Sequence, residues 1–306
     1  MTKLSVIIPC YNSEKMIRTV VETSIEYIKK LGAYDYEFVL VNDCSDDRTF
    51  EEIRSLCKDY SFILGIDLAK NSGQHNALLA GLHYTSGDII VSMDDDMQTH
   101  PSQLSKLIDR LNEGYDVVYG VYPQKKTSAY RKLGSNFNNF TVAKLIGKPL
   151  DLKVSSFWVI RRFVRDEAIR YPSNFTNLQG CFLKITKKLT NVEIEHFSRM
   201  AGSSGYTLKK LLRLWSSNLN YSMLPLRISF FLSLFFLLCG VATTAVLAIW
   251  KQHIETFLLL ILIEIITALQ FGVIGIVSEY IGRMFMVVMQ EPQTTIREVI
   301  NERTKT

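Results

Sequence analysis

Apolar positions follow two different rhythms along this chain. Over roughly the first 120 residues, short β-branched runs alternate with longer stretches in which apolar residues recur every three or four positions. That pattern predicts strands over residues 4–8, 38–41, 62–68, 88–93 and 117–121. Helices are expected between them, over 14–31, 46–60, 73–84 and 101–112. Pro9 halts the first strand, Asp46 or Asp47 offers an N-cap, and Pro101 sits near a first helical turn. Strands alternating with helices imply βαβ units, hence a mainly parallel sheet covered on both faces. Ligands on such sheets lie outside the carboxyl ends of the strands, so the polar residues after each strand are the ones to inspect. Beyond Tyr122 the rhythm weakens, with a helix expected over 130–146 and strands over 154–160 and 192–196.

The second rhythm is continuous. Residues 228–250 carry no charge, and residues 257–278 carry one, Glu264. Each run is long enough to cross a bilayer core of about 30 Å, which takes about 20 helical residues. Just upstream, Leu208, Leu211, Leu212, Trp215 and Leu219 share one helical face, and Lys209, Lys210, Arg213, Ser216 and Ser217 the other. Such a helix either lies in the membrane interface or packs on the domain; its closeness to the first span favours the interface. The expected organisation is a catalytic domain over 1–200, an interface helix region over 201–226, a transmembrane hairpin over 227–282 and a cytoplasmic tail over 283–306.

Charge and composition then orient this scheme. Of 306 residues, 47% are hydrophobic. The mean hydropathy of +0.10 is high for a wholly soluble protein and low for a polytopic transporter. The net charge of +5 is too mild to suggest nucleic acid. Lys184, Lys187, Lys188, Lys209, Lys210, Arg213 and Arg227 precede the first span, Arg283, Arg297 and Arg303 follow the second, and only Lys251 lies between. The positive-inside rule places the catalytic domain and both termini in the cytoplasm, with 251–256 as an outer turn of a multi-pass inner (plasma) membrane protein. The apolar stretch in residues 1–10 is too short for a secretory signal, so anchoring falls to the hairpin. Five cysteines without a CxxC pair read as reduced thiols.

The sharpest chemical feature is Ser92-Met93-Asp94-Asp95-Asp96-Met97-Gln98, directly after a predicted strand. Consecutive carboxylates repel one another unless a cation is present. Oxygen ligands suit Mg²⁺ or Mn²⁺, and those ions bind diphosphates. Asp94 and Asp96 could share one metal while Asp95 points elsewhere; the alternative is an acidic solvated turn. Three further strand ends should face the same crevice: Pro9 to Glu14, Asn42 to Asp46, and Asn71 to Gly73. Asp43 could accept hydrogen bonds from a nucleobase or a ribose.

In this combination the chain resembles family 2 glycosyltransferases of the GT-A fold. Within them it resembles the polyprenyl-phosphate branch, the dolichyl-phosphate mannose synthase-like enzymes and bacterial undecaprenyl-phosphate sugar transferases. The residues that carry the likeness are Ser5-Val6-Ile7-Ile8-Pro9-Cys10-Tyr11-Asn12 with Glu14, Val41-Asn42-Asp43-Cys44-Ser45 with Asp47, Asn71-Ser72-Gly73 with Gly81-Leu82, and Met93 to Gln98 with Pro101. His196-Phe197-Ser198-Arg199 with Gly202, Ser204 and Tyr206, and the paired spans, match the membrane-lipid branch. The resemblance implies that Pro9, Tyr11, Glu14, Asp43 and Asn71 hold the nucleotide. It implies that Asp94 and Asp96 hold metal and diphosphate with Gln98 near the sugar, and that Arg131, Lys132 and Arg199 meet the lipid phosphate beside Ser204 and Tyr206. For the basic residues, a solvated surface or contact with anionic headgroups is the other reading.

One departure stands out. Some relatives carry an Asp near the stretch written here Val154-Ser155-Ser156-Phe157-Trp158, and Trp158 stands where relatives often have Arg. A catalytic base there is in doubt, and Asp96 and Asp151 are weak substitutes. The resemblance implies an inverting, metal-dependent transfer of one sugar from a nucleotide-sugar, expected to be a UDP-sugar, to a polyprenyl phosphate at the cytoplasmic leaflet. Rival readings are a processive polysaccharide synthase of the same fold and a non-catalytic membrane scaffold. His75 and His83 read as surface or core residues. Glu264, a carboxylate within a span, would hold the hairpin or neighbouring subunits together, or form a polar step for the lipid headgroup. Paired spans leave room for a homo-oligomer.

Overall fold

The computed structural model describes residues 1–32, 34–122, 148–170, 178–195, 235, 255–288 and 294–301. The chain divides into two units: residues 1–217 together with 292–306, and residues 218–291.

In the first unit, eight strands form one sheet: β1 (Thr2–Cys10), β2 (Tyr34–Asn42), β3 (Ile63–Leu68), β4 (Ile89–Ser92), β5 (Val117–Val121), β6 (Trp158–Arg161), β7 (Leu189–Glu193) and β8 (Ile296–Ile300). Their order across the sheet is β7-β5-β6-β4-β1-β2-β3-β8. The helices are α1 (Ile17–Leu31), α2 (Thr49–Asp59), α3 (Gln74–Leu82), α4 (Leu104–Asn112), α5 (Arg162–Arg170) and α6 (Leu178–Ile185). All five strands expected before Tyr122 are present, and so are the helices between them. Alternation along β1 explains why both faces are covered. Leu4, Val6 and Ile8 join the core under α1, α2 and α4, whereas Ile7 joins the one under α3, α5 and α6.

The sheet is mainly parallel as expected, six of its eight strands running one way, with β6 and β8 opposed to them. β1 pairs in parallel with β2 and β4, as do β2 with β3 and β5 with β7. β6 runs antiparallel between β4 and β5, and β8 runs antiparallel along β3. Strand–helix alternation announces parallel neighbours because a parallel pair needs a crossover. β6 and β8 both lie beyond Tyr122, where the alternation weakens, so the rhythm carried no information on their direction. The sequence pattern predicts neither α5 nor α6, and no strand over 296–300.

Local chemistry fixes the element ends. α1 closes at Gly32, whose φ of 67° supplies the left-handed cap and whose N–H donates to the Lys29 carbonyl. α2 starts later than expected, at Thr49 with Arg48 in the cap position. Asp47 still serves that end, because its Oδ1 accepts from the Thr49 N–H at 3.0 Å. The segment that opens at Pro101 is a 3-10 turn to Gln103 before α4 begins. The strand expected over 154–160 shortens to β6 at Trp158–Arg161, and the one expected over 192–196 lies earlier, as β7 at Leu189–Glu193. Gly81 lets α3 lie close on the sheet: a Cβ there would meet Ile7 Cγ2 at 2.8 Å and Val41 Cγ2 at 3.0 Å.

The second unit contains α7 (Glu255–Val288). Its 34 residues span about 51 Å at 1.5 Å per residue. Residues Ile265–Gly282 within it are long and apolar enough to cross a membrane. The helix outruns the expected second span at its C-terminal end. The expected helix over 130–146, the interface helix face 208–219 and, apart from Phe235, the first span lie outside the described residues. Among the described residues the structure thus shows one apolar helix of spanning length.

Candidate active site

β1 lies between β2 and β4, its parallel neighbours in the sheet, so their carboxyl ends share one rim. The chain reverses its order there, which opens the crevice where α/β sheets take ligands. Three non-glycine residues at this rim have left-handed backbone: Asn12 after β1 (φ 55°), Cys44 after β2 (φ 53°) and Met97 after β4 (φ 60°). Backbone in that region costs about 1–3 kcal/mol and concentrates at functional sites. Among the described residues, no other non-glycine position has positive φ.

The three carboxylates after β4 divide their work. Asp95 ties the β4 loop to the β1 loop by accepting from the Tyr11 N–H at 3.1 Å and from the Ser13 hydroxyl. Asp94 is half-buried. Its Oδ2 accepts from Ser156 Oγ at 2.5 Å and its Oδ1 from Gln74 Nε2 at 2.8 Å. Burial, reinforced by the charges of Asp96 and Asp95, pushes its carboxyl up to about 6 against the pull of the Ser156 and Gln74 bonds. Asp96 accepts from the Gln98 N–H at 3.0 Å. Tyr122, just past β5, donates its hydroxyl to the Gln98 carbonyl at 3.0 Å. Burial and the charges of Asp94 and Asp96 raise Tyr122 to about 12, so it stays a neutral donor.

The nucleotide-side expectations fall on a connected set of loops. Asp43 is 4% exposed. Its carboxylate accepts from the Ser72 N–H at 2.7 Å and the Gly73 N–H at 2.8 Å. Burial raises its pKa and those two bonds oppose the rise. Asn71 Nδ2 donates to the Asp43 carbonyl at 3.2 Å. Glu14 accepts from the Arg48 N–H at 3.1 Å, and its own N–H donates to Asp47 at 3.2 Å. Pro9 is buried in register with Val41. Tyr11, 49% exposed, presents a large open ring, and Asn71 is exposed as well. In this structure Asp43, Glu14 and Asn71 therefore shape the loops, and Tyr11 stands out from them.

Arg131, Lys132, Arg199, Ser204 and Tyr206 lie outside the described residues. His75 and His83 are both held low by burial, with the Arg165 charge adding at His83, so both are neutral near pH 7. Sequence reasoning missed Gln74, Ser156 and Tyr122 as contributors to the rim. A signal existed for each. Gln74 opens a helix at the rim, Tyr122 follows a strand, and Ser156 lies in the stretch already marked as a departure.

The donor set fits a hard divalent cation in one specific way. Among the described residues, no three His, Cys, Asp or Glu side chains converge on one metal position. Two carboxylates on one turn remain, and Mg²⁺-type ions are commonly held by one or two carboxylates together with substrate phosphates. The raised Asp94 pKa is what a cation site shows when read without its cation.

A model of the family described as glycosyl transferase family 2 matches residues 5–168, more than half of the chain. The chain belongs to glycosyl transferase family 2. The matched stretch contains β4 and β6, hence both Asp94 and its partner Ser156, together with the β1 and β2 loops. Two bacterial relatives cover nearly its whole length. Undecaprenyl-phosphate 4-deoxy-4-formamido-L-arabinose transferase of Photorhabdus laumondii is 28% identical over 98% of this chain and 95% of its own. The enzyme of the same name from Pectobacterium atrosepticum is 28% identical over 98% and 94%. Among solved structures, glucosyl-3-phosphoglycerate synthase from Mycobacterium tuberculosis in complex with phosphoglyceric acid superposes with a TM-score of 0.50 at 19% identity. It covers 72% of this chain and 80% of that one. The mixed α/β sheet of this family 2 glycosyltransferase is thus of the GT-A kind.

Proposed function

We propose that this family 2 glycosyltransferase moves one sugar from a nucleotide-sugar to undecaprenyl phosphate, or a closely similar polyprenyl phosphate, at the cytoplasmic leaflet of the inner membrane. The donor is a UDP-sugar and the transfer inverts the anomeric centre. One observation carries the reading: the match to enzymes named for undecaprenyl phosphate runs through 98% of the chain, the apolar C-terminal region included.

Asp94 and Asp96, with Gln98 beside them, would hold Mg²⁺ or Mn²⁺ against the donor diphosphate. The ion would supply charge neutralisation as the diphosphate leaves. Asp95 would keep the turn in place through Tyr11 and Ser13. The Tyr11 ring would pack on the nucleotide, and the loops held by Pro9, Glu14, Asp43 and Asn71 would shape its pocket. Arg131, Lys132 and Arg199 would bind the acceptor phosphate, because guanidinium groups fit phosphate bidentately. Ser204 and Tyr206 would line the acceptor side. An acceptor oxygen attacks the anomeric carbon while the bond to the donor diphosphate breaks. A phosphate monoester has its second pKa near 6, so that oxygen is already ionised at pH 7 and no general base is needed. Ser156, spent on Asp94, supports the carboxylate instead of acting as a base.

The test is transfer of radiolabel into the organic phase. Purified full chain in detergent receives undecaprenyl phosphate, Mg²⁺ or Mn²⁺ and a panel of labelled UDP- and GDP-sugars. Metal-dependent transfer of a single sugar, abolished by EDTA and by Asp96→Asn, is expected. No lipid-phase label from any donor, with well-folded protein, would sink the proposal. Products that lengthen with time would replace it with a processive synthase.

A further inference from the structure

β8 lies far along the chain from the strand it borders. Beside its register with β3, it delivers Arg297 to the donor-side loops. Asp67, at the carboxyl end of β3, has a side chain only 5% exposed. Among the described residues the cation paired with it is Arg297, whose Nη1 lies 3.1 Å from Asp67 Oδ2. The other carboxylate oxygen accepts from Asn42 Nδ2 at 2.7 Å. The Asn42 side-chain oxygen, Oδ1, accepts from Ser45 Oγ at 2.6 Å. Ser45 Oγ accepts from the Asn12 N–H at 3.0 Å, and the Asn12 side chain accepts from the Asp46 N–H at 3.0 Å. Arg297 also donates from Nη2 to the Ala69 carbonyl at 3.2 Å. That carbonyl leads directly into the 70–73 loop whose N–H groups hold Asp43.

We infer that Arg297 is a positioning residue for the donor-side loops: by neutralising Asp67 and holding Ala69, it orients the Asn42–Ser45–Asn12 chain at the ends of β1 and β2. The physical reason is that a buried carboxylate with one cation directs its remaining hydrogen bonds only while that cation is present. Two of the left-handed residues at the rim, Asn12 and Cys44, lie in the loops so held, which gives them something to lose. The effect on catalysis rests on the proposal that these loops bind the nucleotide-sugar. The effect on the loops themselves does not.

The experiment compares Arg297→Ala, Arg297→Lys, Asp67→Asn and Arg54→Ala in the full chain. Arg54, on α2, is the control because its partner Glu298 lies on the same strand as Arg297. Its half-exposed guanidinium pairs with Glu298 at 2.9 and 3.2 Å and touches none of the loops. Hydrogen exchange is followed over residues 10–14 and 42–48, and kinetics separately in donor and acceptor. Arg297→Ala is expected to speed exchange in both segments about tenfold and to raise donor KM about tenfold with acceptor KM unchanged. Arg297→Lys recovers part of the loss, since it restores charge but not the forked contact. Asp67→Asn speeds the same segments, and it decides the matter if Arg297→Ala does not fold. Unchanged exchange in both segments overturns the inference. So does an equal effect from Arg54→Ala, which would reduce Arg297 to a means of docking β8. A wild-type chain that transfers no sugar would refute the proposed reaction, while exchange would still decide the positioning role.

Discussion

Asp94 is the residue whose chemistry the structure changes most. Its folded pKa of about 6 lies above the ordinary value near 3.9. The folded, metal-free chain therefore binds a proton more readily than the unfolded chain between about pH 4 and 6. Stability contributed by that proton is lost as pH rises through 6. Above that pH an ionised Asp94 sits beside Asp95 and Asp96 with no counter-charge from the turn. Mn²⁺ should raise the melting temperature by several degrees at pH 7.5 and by little at pH 5. An equal rise at both would contradict the assignment of Asp94 to the cation. Ser156→Ala removes a hydrogen bond that lowers this pKa, so the pKa moves further up. Measured at sub-saturating Mn²⁺, the acid limb of the pH–rate profile should shift to higher pH by roughly one unit, with little change at pH 8. An unmoved acid limb would mean that Ser156 does not hold Asp94 during turnover.

At the scale of elements, the decisive contacts are close approaches and edges. α3 crosses β1 and β2 at Gly81, where even a Cβ would lie under 3 Å from Ile7. Gly81→Val should cost about 1–3 kcal/mol by overpacking, read as a fall in melting temperature. A variant as stable as the parent would show that α3 can shift outward freely. The resemblance to known transferases included Gly81-Leu82, and the reason visible here is helix–sheet packing, with no ligand involved. β8 shows the opposite case. Its strand pattern is short, it follows a long apolar helix, and its partner β3 is far away in sequence. It falls within the stretch that the sequence assigns to a cytoplasmic tail. Arg54→Ala, at the surface pair with Glu298, should change stability by less than about 1 kcal/mol; a larger loss would mean that this pair anchors the strand.

The whole molecule joins a glycosyltransferase unit to a unit whose described residues include an apolar helix of spanning length. The proposed topology is open to direct labelling. A cysteine placed by Gln252→Cys should react with a membrane-impermeant maleimide from outside intact cells, and one placed by Thr306→Cys should react only after permeabilisation. Equal labelling of both in intact cells would refute two cytoplasmic termini joined by a hairpin. Cys10, Cys57 and Cys181 are buried, and Cys44 and Cys239 are replaced by Ser in both variants so that they add no signal.

The first half of the fold and the acidic turn were legible in sequence because both depend on local patterns. Buried parallel strands such as Val39 to Val41 read as apolar runs, helices such as α1 read as stripes, and Asp94 to Asp96 announced themselves by uncompensated charge. The division of labour among those carboxylates was not legible, because Ser13, Gln74 and Ser156 reach them from distant positions. The same holds for Asp43, whose carboxylate turns to the Ser72 and Gly73 N–H groups, and for the direction of β6. Sequence by itself determined which elements form and which charges must find a partner, since burial periodicity and like-charge repulsion act over a few residues. Only the tertiary structure decided which partner each charge found. Arg297 meeting Asp67 across the sheet edge is a matter of topology, and topology joins residues that no local pattern connects.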